Sequence, residues 1–205
     1  MEVFSVINSR RSIRRFKPDL VSREAIIKML DAANKAPSAT NKQPWSFIVL
    51  EAKNISELTK ISEEAFDERF GGMPKEEAEK KLSRLSLYED DKYEGLNRFY
   101  RTLGGAPVVI VVTAKFGDSD YDSMLNTASA SAAVQNLLLA AWDLGLGSCW
   151  MMGPLQKRNE EIHNLLAIPK NEHIIAIVPV GYPDKIPAEP QKDSINEKIR
   201  WGLEQ

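Results

Sequence analysis

The chain has 205 residues, 43% apolar and 27% charged, with a formal net charge of −2. That composition fits one globular domain that can bury a core without disulfides, and it leaves out disordered, collagen-like and strongly basic classes. A single cysteine, Cys149, excludes a disulfide framework and any multi-cysteine zinc or iron–sulfur centre, and two histidines leave little for a transition-metal site.

The opening MEVFSVINSRRS lacks the long apolar core of a signal peptide, and no uninterrupted apolar run reaches membrane-spanning length, so a soluble cytoplasmic protein is expected. Val3, Val6 and Ile7 have helical spacing and predict a short first helix. It delivers Arg10, Arg11, Arg14 and Arg15 in the stretch SRRSIRRF, residues 9–16. Like charges this dense repel one another unless an anion sits among them or water screens them. Residues 57–94 carry twelve Asp/Glu against seven Lys/Arg, so the cluster is no part of a generally basic surface. A small anion such as a phosphate fits better than nucleic acid, which wants a basic face on a basic domain.

Ser22 is the predicted N-cap of a second helix, with Glu24 in its first turn. Its apolar stripe is Ala25, Ile26, Met29, Leu30 and Ala33, and it ends before Pro37. SFIVL (46–50) reads as a strand. From Ser56 to about Tyr100 the pattern is polar and mainly helical, broken at FGGMP (70–74) into two amphipathic pieces, a candidate lid or excursion over about 60–98. APVVIVVTA (106–114) is a continuous β-branched run of the kind sandwiched between helices. Ser123 to Leu144 predicts a helix too apolar all round for the surface, hence central. GLG (145–147) ends it, SCWMM (148–152) reads as a short strand, Asn159 to Leu166 as a helix, and HIIAIVPVG (173–181) as a further strand. The tail, Pro183 to Gln205, passes several prolines into an amphipathic turn around Ile195, Ile199 and Trp201. No internal repeat or linker divides the chain. The expectation is a single α+β domain over 1–205: one sheet wrapped by helices, with a buried central helix.

Familiar catalytic signatures are missing: no glycine-rich phosphate loop, no Gly-x-Ser-x-Gly elbow, no His-x-x-x-His pair. Cys149, between apolar residues, reads as a small buried hydrophobe. His163, beside Glu160 and Glu161, reads as a surface residue, and His173 precedes a strand without an evident partner. No side chain stands out as a catalyst and no metal site is expected, so an enzyme built on this chain leaves the hard chemistry to a cofactor.

RRSIRRF, APSATNKQPWSFIVL (36–50), GAPVVIVV, AAVQNLLLAAWDLGLGSCWMMGP and VPVGYP, in that order and spacing, resemble the nitroreductase family of FMN-dependent NAD(P)H oxidoreductases. The likeness covers nearly the whole chain except roughly 60–98. It implies the nitroreductase fold, with a mostly antiparallel sheet and an intertwined homodimer holding FMN at the subunit interface. It places Arg10, Arg11, Ser12 and Arg14 on the FMN phosphate and ribityl chain. Pro37, Ser38, Ala39 and Asn41 would lie near the flavin of the partner, with Trp45 as packing. Met152 and Gly153 would offer backbone donors to the flavin N5, and Arg101 a cation near its pyrimidine ring. In the tail, Lys192 stands where the family has a phosphate-binding arginine, and Asp193 and Ser194 replace a basic residue and a proline. The implied activity is ping-pong: NADH or NADPH reduces the flavin, and flat, electron-poor acceptors such as nitroaromatics or quinones reoxidise it. Phe66, Phe70, Tyr88, Tyr93, Phe99 and Tyr100 are offered as walls of the acceptor slot, with packing as the competing reading of each. A dehydrogenase, dehalogenase or flavin-consuming enzyme of the same fold, a non-catalytic FMN-binding or redox-sensing protein, and a basic-arm binder of nucleic acid or a phosphorylated partner remain alternatives.

Overall fold

The run VVIVVTAK forms β2 (Val108–Lys115), with seven of its eight residues buried. Strand side chains alternate between faces. Val109 and Val111 therefore enter one apolar cluster, while Val108, Ile110, Val112 and Ala114 enter another on the opposite face. The computed structural model describes residues 2–51, 53–85, 87 and 92–202. Within them β1 (Trp45–Glu51), β2, β4 (Glu172–Gly181) and β3 (Gly147–Ser148) form one sheet in the order β1-β2-β4-β3, with every strand pair antiparallel. Both faces are covered, as the uninterrupted apolar character of the second strand predicts.

One face packs against α2 (Arg23–Asn34) and α6 (Asp120–Asp143), through Ile26, Met29 and Ala33 from the first and Ala130, Val134 and Leu137 from the second. The Ser22 hydroxyl accepts from the Ala25 N–H at 3.2 Å, the cap that its position predicts. Helix α6 begins with a similar cap from Ser119 to the Asp122 N–H at 3.1 Å, and ends where Gly145 takes a positive φ of 76°. The other face is covered by α3 (Lys53–Phe70), α5 (Lys92–Thr102) and α7 (Asn159–Leu166), which contribute Leu58, Phe66, Phe99 and Ile162. The first helix, α1 (Val3–Ser9), lies on α6 and buries only Val6.

Two details differ from the sequence reading. The excursion holds three helices rather than two, because α4 (Lys75–Leu82) stands alone between the break at Gly71–Gly72 and α5. The stretch SCWMM pairs as a strand only over Gly147–Ser148; afterwards Cys149 donates to the Pro179 carbonyl at 3.4 Å and Met151 exchanges backbone bonds with Ile177. Proline has no N–H to return to Cys149, so the ladder lapses there. No helix among the described residues is long and apolar enough to cross a membrane.

Candidate functional site

Residues 10–17 leave α1 as extended chain and are sewn to the sheet edge. Ile13 donates to the Ser148 carbonyl at 2.9 Å, Phe16 to Gly104 at 2.9 Å and Lys17 to Tyr182 at 2.9 Å. Ile13 is completely buried, and a Cβ at Gly147 would come within 2.6 to 2.8 Å of its side chain. Extended backbone alternates its side chains, so burying Ile13 turns Ser12 and Arg14 the other way. There a cleft of about 140 Å³ is lined by Arg10, Arg11, Ser12, Arg14, Lys192 and Arg84. Arg15 turns out of it and pairs with Asp184 at 3.0 Å.

Five cations and a hydroxyl around so small a volume make a candidate anion site. Arg11 is fixed by the Asn8 carbonyl at 2.8 Å, its neighbour's carbonyl at 3.1 Å, and Glu189 at 3.3 Å. Arg10 is half-buried, and among the described residues no carboxylate pairs with it. Burial draws its guanidinium below the ordinary value; Cys149 opposes this and Arg11 adds to it. A desolvated cation beside another cation is stabilised by an anion between them. A phosphate dianion suits this donor set, since guanidinium forks match its oxygens and Ser12 can bond a neighbouring hydroxyl. The sequence reading reached five of these six residues. It missed Arg84, which sits seventy positions away with no local motif.

Pro37, Ser38, Ala39 and Asn41 do not line this cleft. They make a turn after α2 in which the Ser38 hydroxyl accepts from Gln43 at 3.0 Å and Ala39 donates to the Ser129 hydroxyl of α6 at 3.3 Å. Thr40, Asn41 and Gln43 all have positive φ, from 47° to 57°. Such conformations cost energy in non-glycine residues and concentrate at functional segments. Thr127, two residues before Ser129, reaches His173 at 2.8 Å, whereas the arginine segment bonds Ser148, which pairs with Val180. His173 and Val180 are seven positions apart along β4, roughly 23 Å at the rise of a strand. Turn and cleft thus lie at opposite ends of β4. Trp45 is buried and donates to Asn34 at 3.0 Å, a packing role.

Met152 and Gly153 begin the turn after Met151, and both carbonyls accept from Gln156. A Cβ on Gly153 would meet the Tyr100 hydroxyl at 3.4 Å. Burial pushes the Tyr100 hydroxyl well above its ordinary value, Cys149 adds to this, and Arg14 and Arg69 oppose it. The phenol thus abuts the Gly153 turn and feels the charge of Arg14. Arg101 has a different setting: it bonds Asn97 at 2.8 Å, Asp67 at 2.7 Å, and Glu63, so its charge is met by α3. Phe66, Phe70, Tyr93 and Tyr100 pack on one another, with centroids 4.8 to 6.3 Å apart, and Phe99 meets Tyr100 edge-on. Here packing is the role the structure gives these rings; Tyr88 lies outside the described residues. His163 is half-buried, with its Nε2 enclosed. His173 stacks on Phe116 at 4.7 Å.

The nitroreductase family model matches residues 7–182. A Bacillus subtilis protein provisionally named NAD(P)H nitroreductase YfhC is 30% identical over 194 residues, covering 95% of this chain and 91% of its own length. The iodotyrosine deiodinase of Thermotoga neapolitana is 30% identical over 186 residues, 89% of each chain. Among solved structures, an iodotyrosine deiodinase bound to FMN and 3-iodo-L-tyrosine superposes with a TM-score of 0.77 at 26% identity, covering 98% of this chain and 100% of that one.

Proposed function

The chain belongs to the nitroreductase family, and on that premise we propose that it is an FMN-dependent oxidoreductase, driven by NADH or NADPH and passing electrons to flat, electron-poor acceptors. The observation that carries the reading is the arginine cleft. Arg10, Arg14 and Lys192 bring positive charge to the phosphate, Arg11 is already oriented by its own carbonyl contacts, and Ser12 serves the ribityl chain. FMN, when bound, supplies the hydride-accepting ring. The chain supplies binding, orientation and exclusion of water. Backbone N–H groups at Met152 and Gly153 serve the edge of that ring where negative charge grows on reduction, a role of the oxyanion-hole kind. The Tyr100 phenol backs the Gly153 turn, and Arg101, engaged by α3, stands aside. Because turn 37–41 lies at the far end of β4 from the cleft, it serves the cleft of a second copy, and the working unit is a homodimer. A lone buried Cys149 suits a cytoplasmic setting.

A second reading, reductive dehalogenation of a halogenated aromatic, is favoured by the likeness to the two iodotyrosine deiodinases. Reduction of a nitroaromatic and halide release from 3-iodo-L-tyrosine, assayed with one reductant, separate the two.

The test of the flavin assignment is a visible spectrum of the purified protein, followed by anaerobic titration with each nicotinamide. The expected result is a yellow protein that bleaches with at least one of them, and loss of flavin from the R10A/R14A double variant. Full flavin occupancy in that variant overturns the phosphate assignment. A colourless protein that takes up no added FMN overturns the reading itself.

A further inference from the structure

We propose that Arg84, at the end of α4, is a phosphate ligand of the cleft, held against it by Asp193 as a positioning residue, and that this pair makes the site prefer a phosphorylated flavin over an unphosphorylated one. The inference rests on the FMN reading above. Arg84 comes from the helical excursion, yet it lines the same small cleft as Arg10, Arg11, Ser12, Arg14 and Lys192. Nothing in the basic run could bring it there. The contact that does is with the tail: its Nη2 donates to Asp193 Oδ1 at 2.6 Å.

The tail has an obvious problem without Arg84. Lys192 brings a cation to the cleft, but the next residue is an acid, which beside a phosphate dianion would repel it. In the structure Asp193 is bracketed by Lys198 at 3.2 Å and by Arg84. Hydrogen bonds from Lys198 and then Arg84 hold its carboxyl below the usual range. The acid is thereby neutralised and converted into an anchor. A guanidinium has five N–H donors in a fixed fork, and one nitrogen on Asp193 leaves the others for an anion.

Arg11 and Arg84 divide the work differently. Arg11 is 14% exposed in its side chain and tied to Glu189 and two carbonyls, so its position is set in advance. Arg84 is 77% exposed and can adjust over the phosphate. A contact made with phosphate and with nothing else in the flavin contributes to FMN and leaves riboflavin untouched.

The test is a fluorescence titration of the full-length protein, stripped of flavin, with FMN and with riboflavin, for wild type, R84A and R84K. Loss of one exposed charge-assisted contact predicts about a tenfold weaker FMN affinity in R84A. Riboflavin affinity should change less than about twofold, and R84K should fall between wild type and R84A. Thermal unfolding of R84A close to wild type is expected, because the side chain is exposed. Equal weakening for both flavins in R84A would show a structural role and overturn the inference. So would unchanged FMN affinity in R84A with strong FMN preference retained, and the flavin reading would then stand. A wild-type protein that binds neither flavin, or binds both equally, overturns the phosphate assignment and this inference together.

Discussion

The family resemblance assigns both Arg10 and Arg101 to a flavin, and their surroundings separate them. Arg10 stands in a contiguous cationic run, and no distant acid answers it among the described residues. Arg101 is answered by Glu63 and Asp67 of another helix. The first situation is legible in a linear string because like charges are neighbours in sequence; the second is not, because the partners meet only when α3 and α5 pack. The same blindness hides Arg84 and the enclosed Nε2 of the half-buried His163. His173 is the residue where such packing has a measurable consequence. Its Nε2 meets Thr127 at 2.8 Å and its ring stacks on Phe116. Burial pushes its imidazole below the ordinary value, with the Ala114 backbone opposing and His163 adding to the shift. An unfolded histidine takes up its proton near pH 6.5. Between that value and the lower folded one, the unfolded chain holds more protons, so stability falls as pH drops through the window. Thermal melts at pH 7.5 and 5.5 should show a lower Tm at the lower pH, and H173Q should lose part of that difference. An H173Q melt with the same pH dependence as wild type would reject His173 as its source.

Elements were more legible than contacts, since a period of 3.6 or 2 is written along the chain itself. The apolar stripe of α2 follows from it, while the Ser22 cap is read from residue type and position, and the buried second strand and the central helix from runs that are apolar throughout. What it missed depends on the neighbour across the ladder, as where Pro179 cuts short the strand after Ser148. Strand β3 also couples the fold to the site. Gly147 faces Ile13, and any side chain there would collide with it at under 3 Å. Ile13 cannot retreat without moving the arginines on either side of it. G147A should therefore cost about 1–3 kcal/mol by overpacking and weaken flavin retention as well. Gly145 is the natural comparison: its φ is 76°, and a Cβ there meets nothing within 4 Å. G145A should cost about 1 kcal/mol from backbone strain alone, with flavin retention unchanged. Denaturation midpoints together with the flavin-to-protein absorbance ratio give both readings. Equal flavin retention in the two variants would mean that the Ile13 contact does not position the arginines.

At the scale of the molecule, the protomer leaves unusual apolar surface uncovered. Phe4 is 75% exposed, Val3 62% and Ile7 50%, all on α1, beside a groove lined by Val6, Ala32, Leu139 and Ala140. Tyr121 and Met124 at the start of α6 are equally bare. Exposed apolar groups of this kind are what docking of a second copy would cover, and a stable dimer needs about 800 Å² from each partner. The internal geometry asks for the same thing, since the strained turn 37–41 and the arginine cleft sit at opposite ends of β4. Association and flavin binding should then be one equilibrium. By mass action, dilution that dissociates the dimer should release flavin, and added FMN should favour the dimer. Phe4→Glu with Ile7→Glu places charge on a face that is already exposed in the protomer, so the fold should tolerate it, while a charge buried against another copy is strongly unfavourable. Sedimentation and flavin content, measured on the same samples, should show the variant monomeric and depleted of flavin while its circular dichroism stays native. A monomeric variant that keeps its flavin would place the whole site within one chain, and the turn at 37–41 would need another explanation.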